Sequence, residues 1–365
     1  MNRLKNICCI CLLAFLVIPA HSVGQTDRPL RIGVAGLSHG HLAEVTRRVE
    51  RGDFIVVGAS DPDKHVRENN GLRRRIDASL FYEDLAEMLD KTKPEVVIAY
   101  GSIYDHLSVV EACAPRGIHV MVEKPLAVNN EHAGRMAALA RQHRIHLLTN
   151  YETTWYSTNH EAYRLIQADS IGKITRINIY DGHQGPVEIR CSEEFLAWLT
   201  DPVLNGGGAV IDFGCYGANL ATWLLNGEKP LSVYALLKQQ KPDKYPKVDD
   251  DASIMVEYPS ATVQIMGSWN WPMGRKDMHI YGSKGYIYQD TPTDMRFFHH
   301  NKEEAMTPSP LSAPYDDSFR YLKAVVRGEI QVLPTDLSSL ENNLMVVKIL
   351  DAAIQSAKTG VKIVL

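Results

Sequence analysis

The stretch Gly117-Ile118-His119-Val120-Met121-Val122-Glu123-Lys124-Pro125 decides the fold of this chain. Its β-branched, apolar run predicts a buried strand, which Pro125 ends because proline cannot donate to a sheet ladder. Glu123 and Lys124 are therefore predicted at the carboxyl edge of a strand, where open parallel sheets bind their ligands. A lysine at this edge can donate to a substrate oxygen. The alternative is a solvated lysine in a strand-to-helix loop.

Strand and helix patterns alternate on both sides of this stretch. The predicted strands are Arg31–Ala35, Ile55–Ser60, Glu95–Tyr100, Ile118–Glu123 and Ile145–Thr149. The predicted helices are His41–Arg51, Tyr82–Thr92, Asp105–Arg116 and Asn130–His143. This alternation indicates a doubly wound parallel sheet with right-handed crossovers, which put the strand ends on one side. Residues 28–150 are therefore predicted to form one α/β domain.

The first strand leads into Gly33-Val34-Ala35-Gly36-Leu37-Ser38-His39-Gly40-His41. This loop is an imperfect match to Gly-x-Gly-x-x-Gly, with Gly36 first, Ser38 second and His41 third. A tight loop that exposes N–H groups at a helix N-terminus favours a pyrophosphate. We therefore predict contacts with a dinucleotide cofactor at Gly36, Ser38, His39 and Gly40. An ordinary glycine-containing turn is the alternative.

Asp61 follows the second strand and indicates which dinucleotide is bound. A carboxylate here accepts hydrogen bonds from ribose hydroxyls and repels a 2′-phosphate, so NAD is predicted over NADP. The alternative role is a helix cap, since an Asp-Pro pair commonly begins a helix. The other predicted cofactor contacts lie at later strand ends, and they are Tyr100, Gly101, His106, Glu123, Lys124 and Asn150.

Residues 151–365 have the pattern of a second, α+β domain. A helix is predicted over Asn159–Asp169. The predicted strands are Ile174–Tyr180, Ser232–Leu237, Ala252–Tyr258, Thr262–Trp269, Asp277–Tyr281 and Gly285–Gln289. Short turns between several of them imply a largely antiparallel, open sheet, one face of which helices or a partner subunit must cover. A homo-oligomer is therefore predicted. The polar segment Asn301–Pro314 is predicted to be a loop.

The segment from Asn205 to Asn219 is rich in glycine and carries candidate catalytic groups. Three glycines allow close backbone approach before a helix that is predicted to run to about Leu225. Asp212 and Tyr216 are four positions apart and share a helix face. Together they can bind and deprotonate a hydroxyl if a nearby ammonium, here expected to be Lys124, lowers the pKa of the phenol. The alternative is a local cap at Asp212 and a packed core aromatic at Tyr216.

Composition and the N-terminus indicate the compartment and exclude some partners. The net charge of -4 without a long basic run does not suggest nucleic-acid binding. Residues 1–22 resemble a signal peptide, because Arg3 and Lys5 precede an apolar core over residues 7–18 and Ala20-His21-Ser22 follows it. We expect an exported protein, in the bacterial periplasm, with no membrane span after cleavage. An uncleaved anchor is the alternative.

Cysteine and histidine usage points to no metal. After residue 22 the chain has Cys113, Cys191 and Cys215, an odd number that leaves at least one thiol without an intramolecular partner. No Cys/His spacing resembles a zinc site. We therefore predict that no metal is bound.

Taken in order, these stretches resemble the glucose–fructose oxidoreductase / inositol dehydrogenase (Gfo/Idh/MocA) family. The resemblance covers essentially all of the chain after residue 22. It rests on the nucleotide loop, Asp61, His106, Gly117–Pro125, Gly206–Asn219 and the C-terminal Ser356-Ala357-Lys358-Thr359-Gly360. It implies an N-terminal Rossmann domain, a C-terminal domain with an open sheet, tightly held NAD(P), and oxidation or reduction of a sugar or polyol carbon.

The resemblance also implies residue roles. The catalytic or substrate-orienting lysine of the family maps to Lys124, and its acid maps to Asp212. Many members carry a histidine where this chain has Tyr216, which matches the glucose–fructose oxidoreductase and dihydrodiol dehydrogenase-like branch, where tyrosine is the acid/base. The predicted substrate contacts are Lys124, Asp212 and Tyr216, together with four side chains whose rings could pack on a sugar: Tyr151, Trp155, His183 and Trp269.

Two other functions stay open at this point. An exported enzyme has little free NAD to recycle, and some family members are glycosidases that use a permanently bound NAD. In that closed cycle, transient oxidation acidifies a neighbouring C–H, a glycosidic substituent is eliminated, and the hydride returns. A non-catalytic sugar-binding protein is the third possibility, against which the presence of Lys124 and Tyr216 argues.

Overall fold

The computed structural model describes residues 28–52 and 54–365. The predicted signal peptide, residues 1–22, lies outside the described residues. None of the helices in the described ranges combines the length and the hydrophobicity that a membrane crossing requires.

The first sheet has six strands: β1 (Leu30–Ala35), β2 (Phe54–Ser60), β3 (Phe81–Tyr82), β4 (Val96–Ala99), β5 (His119–Glu123) and β6 (Leu147–Asn150). Its helices are α1 (Leu42–Arg48), α2 (Lys64–Asn69), α3 (Leu85–Thr92), α4 (His106–Cys113) and α5 (Asn130–His143). All strands are parallel, in the order β3-β2-β1-β4-β5-β6. The predicted doubly wound Rossmann sheet is confirmed. Its strand order changes direction between β1 and β4, and this topological switch point is where such sheets bind ligands.

Differences from the predicted elements have local causes. The helix predicted from Tyr82 begins later because Phe81–Tyr82 pairs with β2 and Asp84 caps α3 by accepting the N–H of Glu87. Helix α2 was not predicted; its cap is Asp63, which accepts from the N–H of His65. Short 3₁₀ turns lie at Val49–Arg51, Gly71–Arg74, Ala78–Leu80, Ala114–Arg116 and Glu152–Trp155.

The second sheet has nine strands: β7 (Ile174–Gly182), β8 (Ser232–Lys238), β9 (Asp251–Glu257), β10 (Thr262–Ser268), β11 (Arg275–Gly282), β12 (Tyr286–Gln289), β13 (Met295–His299), β14 (Lys302–Met306) and β15 (Ile363–Val364). The helices of this half are α6 (Ser157–Gln167), α7 (Glu193–Leu199), α8 (Ala209–Asp212), α9 (Gly214–Leu224), α10 (Ser318–Val326) and α11 (Leu340–Thr359). The strand order is β14-β13-β12-β11-β7-β10-β9-β8-β15, and among the described strands of this second sheet β7 with β10 is the one parallel pair. The predicted largely antiparallel sheet is confirmed.

The prediction that Asn301–Pro314 is a loop is wrong for its first part, because β14 pairs with β13 there. The sequence Lys-Glu-Glu-Ala-Met of β14 has no apolar alternation, which is the usual character of a charged edge strand.

Helices cover one face of the second sheet and leave the other open. Val233 and Ala235 of β8 point into the core that α9 and α11 complete. Their neighbours Tyr234 and Leu236 point the opposite way and are exposed, as is Met255 of β9. Helix α10 instead packs against the first sheet, together with which it encloses a second core.

Candidate active site

A groove of about 510 Å³ lies over the carboxyl ends of β1, β2 and β4. Five predicted cofactor residues line it: Gly36, Ser38, Asp61, Gly101 and His106. Gly36 has φ +77°, and a Cβ there would lie 2.3 Å from the amide nitrogen of Gly101. Only glycine therefore fits this crossing of the two loops, which brings the backbone close to the groove.

Asp61 holds the nucleotide loop in place. Its Oδ2 accepts the N–H of Leu37 at 2.9 Å and its Oδ1 accepts the N–H of Asp63 at 2.9 Å. Asp63, not Asp61, is the residue that caps α2. Burial raises the pKa of Asp61 above its usual value. Each carboxylate oxygen keeps a second lone pair, so Asp61 can also accept from a ribose hydroxyl in the groove.

Two amides of the loop are suited to a pyrophosphate. The N–H groups of Ser38 and Gly40 have no acceptor within residues 28–52 and 54–365, and they lie just before α1. Unpaired amides at a helix N-terminus attract phosphate oxygens. Together with the close approach at Gly36 and the carboxylate of Asp61, they fit a dinucleotide such as NAD.

A segment of the second domain covers this groove, and the sequence did not reveal it. Glu194, Ala197 and Trp198 of α7 line the groove, together with Leu204. The indole Nε1 of Trp198 donates to Ser38 Oγ at 3.1 Å, and the carbonyl of Leu204 accepts the N–H of Tyr104 at 2.9 Å. We call residues 193–204 the cofactor strap.

His39 and His41 of the nucleotide loop lie close to Glu123 at the end of β5. His41 Nδ1 lies 2.9 Å from Glu123 Oε2, and Asn150 Nδ2 donates to Glu123 Oε1 at 3.2 Å. Burial alone would raise the pKa of Glu123, but the charge of His41 and its hydrogen bond lower it to about 2. Burial alone would lower the pKa of His41, but Glu123 raises it. Ligand atoms of His39, His41 and Glu123 also lie within 4.8 Å of one another, although the sequence predicted no metal.

A second cavity, of about 710 Å³, lies between the domains, and Lys124, Asp212 and Tyr216 line it together. Lys124 Nζ donates to Asp212 Oδ1 at 2.5 Å and to the Asp212 carbonyl at 3.0 Å. Trp269 Nε1 donates to Asp212 Oδ2 at 2.9 Å. Burial alone would raise the pKa of Asp212, but the ammonium of Lys124 lowers it to about 2. Lys124 is accordingly held as an ammonium by a carboxylate.

The ammonium that donates a hydrogen bond to the Tyr216 oxygen belongs to Lys276, whereas the sequence predicted Lys124 as its partner. Lys276 Nζ lies 3.4 Å from the phenolic oxygen and 4.5 Å from the ring centroid, and it pairs with Glu152. Lys124 Nζ is 5.2 Å from the ring centroid and is hydrogen-bonded to Asp212. Burial raises the pKa of Tyr216 well above its usual value. The prediction of a lowered pKa at Tyr216 is therefore wrong.

The predicted sugar contacts are only partly in the cavity wall. His183 lines the cavity, and burial lowers its pKa. Tyr151 and Trp269 are fully buried; the Tyr151 ring packs edge-on against Tyr216 at 5.4 Å, and Trp269 holds Asp212. Trp155 lines a separate cleft and packs against Tyr321. The prediction of direct contact by Tyr151, Trp155 and Trp269 is corrected accordingly.

Some of the remaining predicted cofactor residues line the cavity, and the others are buried. His39 and Gly40 line the cavity beside Lys124. Tyr100, Glu123 and Asn150 are buried and line neither the groove nor the cavity. The backbone carbonyl of Tyr100 accepts the N–H of His39 at 3.0 Å, so Tyr100 holds the nucleotide loop in place through its backbone. Cys113, Cys191 and Cys215 are all free thiols.

Comparison with known proteins defines the class. The model of an oxidoreductase family with an NAD-binding Rossmann fold matches residues 30–151, and the model of the GFO/IDH/MocA C-terminal domain matches residues 159–288. The chain belongs to the Gfo/Idh/MocA oxidoreductase family, as its sequence predicted. It is an oxidoreductase with an NAD-binding Rossmann domain.

The trans-1,2-dihydrobenzene-1,2-diol dehydrogenase of Xenopus laevis is 30% identical over 208 residues, which are 56% of this chain and 58% of that protein. An aldose-aldose oxidoreductase from Caulobacter crescentus superposes with a TM-score of 0.78 at 20% identity, over 93% of this chain and 100% of the other. An inositol dehydrogenase homologue from Azotobacter vinelandii, complexed with NAD+, also has a TM-score of 0.78, at 16% identity over 93% and 98% of the two chains. These structures share the fold.

Proposed function

We propose that this enzyme transfers a hydride between bound NAD and a hydroxyl-bearing carbon of a sugar or sugar derivative. One observation carries the proposal. Lys124 and Asp212 form a buried ion pair, and Tyr216 lies beside it in the wall of a cavity that adjoins the nucleotide loop through His39 and Gly40. A cation, an acid and a phenol around one cavity are the groups that alcohol oxidation or carbonyl reduction needs.

Each residue around the cavity has a separate role in the proposed reaction. NAD, when bound, accepts or supplies the hydride. Lys124, held by Asp212, donates a hydrogen bond to the reacting substrate oxygen. Trp269 fixes the second oxygen of Asp212 and so orients the pair. The pKa of Tyr216 is raised, so the phenol can give its proton to the oxygen during reduction. During oxidation the proton is taken by the phenolate form of Tyr216, which the ammonium of the adjacent Lys276 favours.

Replacement of the two reacting side chains tests this assignment. Lys124→Ala and Tyr216→Phe are each expected to lower kcat by about 100-fold or more, because each removes a group that contacts the reacting oxygen. Lys284→Ala, an exposed lysine paired with Asp169, serves as the control and should leave kcat unchanged. Full turnover of the true substrate by the Lys124 and Tyr216 variants would overturn the assignment.

Export and assembly stay predictions. Residues 1–22 support export to the periplasm, which cell fractionation with a tagged full-length chain tests. The exposed Tyr234, Leu236 and Met255 on the open sheet face support a homo-oligomer formed through that face. Light scattering should give a mass above that of one chain, and a monomer at micromolar concentration would contradict the prediction.

A further inference from the structure

The mouth of the active-site cavity is apolar on its surface. Ile189 and Met273 line the cavity, and 47% and 60% of their surfaces, respectively, are exposed. Behind them the wall continues with Pro186, Phe195 and Leu199. Exposed apolar side chains that continue a cavity wall indicate a binding surface more often than isolated ones do. We call Ile189 and Met273 the apolar rim.

The loop that carries Ile189 is held rigidly. Glu188, next to Ile189, accepts hydrogen bonds from Tyr245 at 2.5 Å, from Lys241 at 2.7 Å and from Lys244 at 2.8 Å. Gly185 has φ +122°, and a Cβ there would lie 2.3 Å from the Glu188 carboxylate. The exposure of Ile189 is therefore fixed by a hydrogen-bonded network and does not result from a loose loop.

The loop that carries Met273 is joined to the first one. Gln184 Nε2 donates to the Pro272 carbonyl at 3.1 Å, and Lys241 Nζ donates to the carbonyls of both Gln184 and Trp269. Trp271 Nε1 donates to the Asp181 carbonyl at 3.2 Å. The two halves of the rim therefore keep a fixed spacing.

The charges of the cavity argue against an anionic substrate. Among the described lining residues, each lysine and arginine has a carboxylate partner: Lys124 pairs with Asp212, Arg275 with Asp277, and Lys276 with Glu152. A phosphate or nucleotide-linked sugar needs cations that are free to bind it. Here it would compete with an existing carboxylate for each one.

We propose that the natural substrate is an uncharged sugar derivative with an apolar substituent, such as an aryl or alkyl glycoside, whose substituent contacts Ile189 and Met273. The sugar hydroxyls then face Lys124 and Tyr216, and the substituent lies across the mouth. This inference rests on the proposed function for its reaction, but its binding part can be tested without turnover.

Calorimetry on the NAD-loaded full chain provides that test. The probes are matched methyl and phenyl β-glycosides of glucose, galactose, mannose and xylose, together with glucose 6-phosphate and UDP-glucose. The variants are Ile189→Ser with Met273→Ser, and, as a control, Leu333→Ser, an exposed leucine that lines neither the cavity nor the groove. NADH formation at 340 nm is recorded separately, so loss of binding and loss of chemistry are distinguished.

We expect the phenyl glycoside of the preferred sugar to bind about 10-fold more tightly than its methyl partner, since this is the scale of a buried apolar group. The double variant should remove most of that preference and leave methyl glycoside binding unchanged, and the control should match the wild type. Equal loss for methyl and phenyl glycosides, tighter binding of either anionic probe, or no binding of any glycoside would overturn the inference. Binding with this preference but without NADH would uphold it and count against the proposed redox reaction.

Discussion

Lys276 Nζ donates a hydrogen bond of 3.4 Å to the phenolic oxygen of Tyr216. Lys276 comes from β11 and pairs with Glu152, which follows β6. The charged and titratable groups around the phenol are Glu123, Lys124, Glu152, Asp212, Cys215 and Lys276. Three of these are carboxylates that disfavour a phenolate, so the contact with Lys276 is the one that favours it most directly.

Removal of this contact should change the pH dependence of oxidation. Lys276→Met removes the adjacent positive charge, so the pKa of Tyr216 rises further and the rising limb of the pH–rate profile moves up by about one to three pH units. The rate at pH 7 then falls by about 10-fold or more, and the deficit narrows as the pH rises. Lys276→Arg should restore most of the profile. An equal deficit at every pH would instead indicate a structural role.

Asp212 is expected to matter for stability as well as for activity. Asp212→Asn leaves the buried ammonium of Lys124 without its carboxylate, which should lower the free energy of unfolding by about 3–5 kcal/mol. Urea unfolding of the apo chain at pH 7 measures this difference. Asp169→Asn, at an exposed ion pair with Lys284, is the matched control and should change stability far less. Similar losses in both variants would contradict the role of burial.

The His41–Glu123 pair should make stability depend on pH. The pKa of His41 is raised in the folded chain, so its contribution is present below the ordinary histidine value of about 6.5 and is lost as the pH rises through the folded pKa. The pKa of Glu123 is lowered to about 2, so its contribution is present above its ordinary 4.5 and is lost as the pH falls through about 2.

His41→Gln should therefore destabilise the chain more at pH 6 than at pH 9, as measured by urea unfolding at both values. His300→Gln, at an exposed loop histidine, controls for loss of an imidazole elsewhere. The same loss of stability at both pH values in His41→Gln would show that the ion pair contributes nothing.

The sequence predicted the parts of the site that local pattern encodes. The run before Glu123 ends at Pro125, and the glycines before Asp212 precede a helix, so both Lys124 and Asp212 could be placed from neighbours in the chain. Lys276 could not, because its role depends on β11 lying beside β7 and on an ion pair with Glu152, which is 124 positions away in the chain. A lysine at the start of a strand has no local feature that marks such a partner.

The cofactor strap was missed for a similar reason. Trp198 lies on a seven-residue helix whose apolar side chains look like those of any core helix. Its contact with Ser38 spans 160 positions and follows from the packing of the two domains. Trp155 and Trp269 were predicted to contact the sugar, but neither lines the active-site cavity. An aromatic residue near a predicted site packs against other side chains as readily as it lines a cavity.

The strap should slow the release of NAD. Trp198→Phe removes the hydrogen bond to Ser38, which is expected to be worth about 0.5–1.5 kcal/mol and so to accelerate NADH dissociation by about 2- to 10-fold. Stopped-flow fluorescence of bound NADH measures this rate. Trp271→Phe removes an indole hydrogen bond outside the groove and is the control. Equal acceleration in both variants would show that the strap has no specific effect.

The most direct test of the central claim is the absorbance at 340 nm of the NAD-loaded chain after mixing with the glycoside panel, with mass spectrometry of the sugar products. Hydride transfer to NAD predicts formation of NADH in proportion to enzyme sites together with a keto-sugar product, and loss of both in Tyr216→Phe. Turnover of a glycoside to the free sugar without a net change at 340 nm would contradict it and favour the redox-neutral cycle.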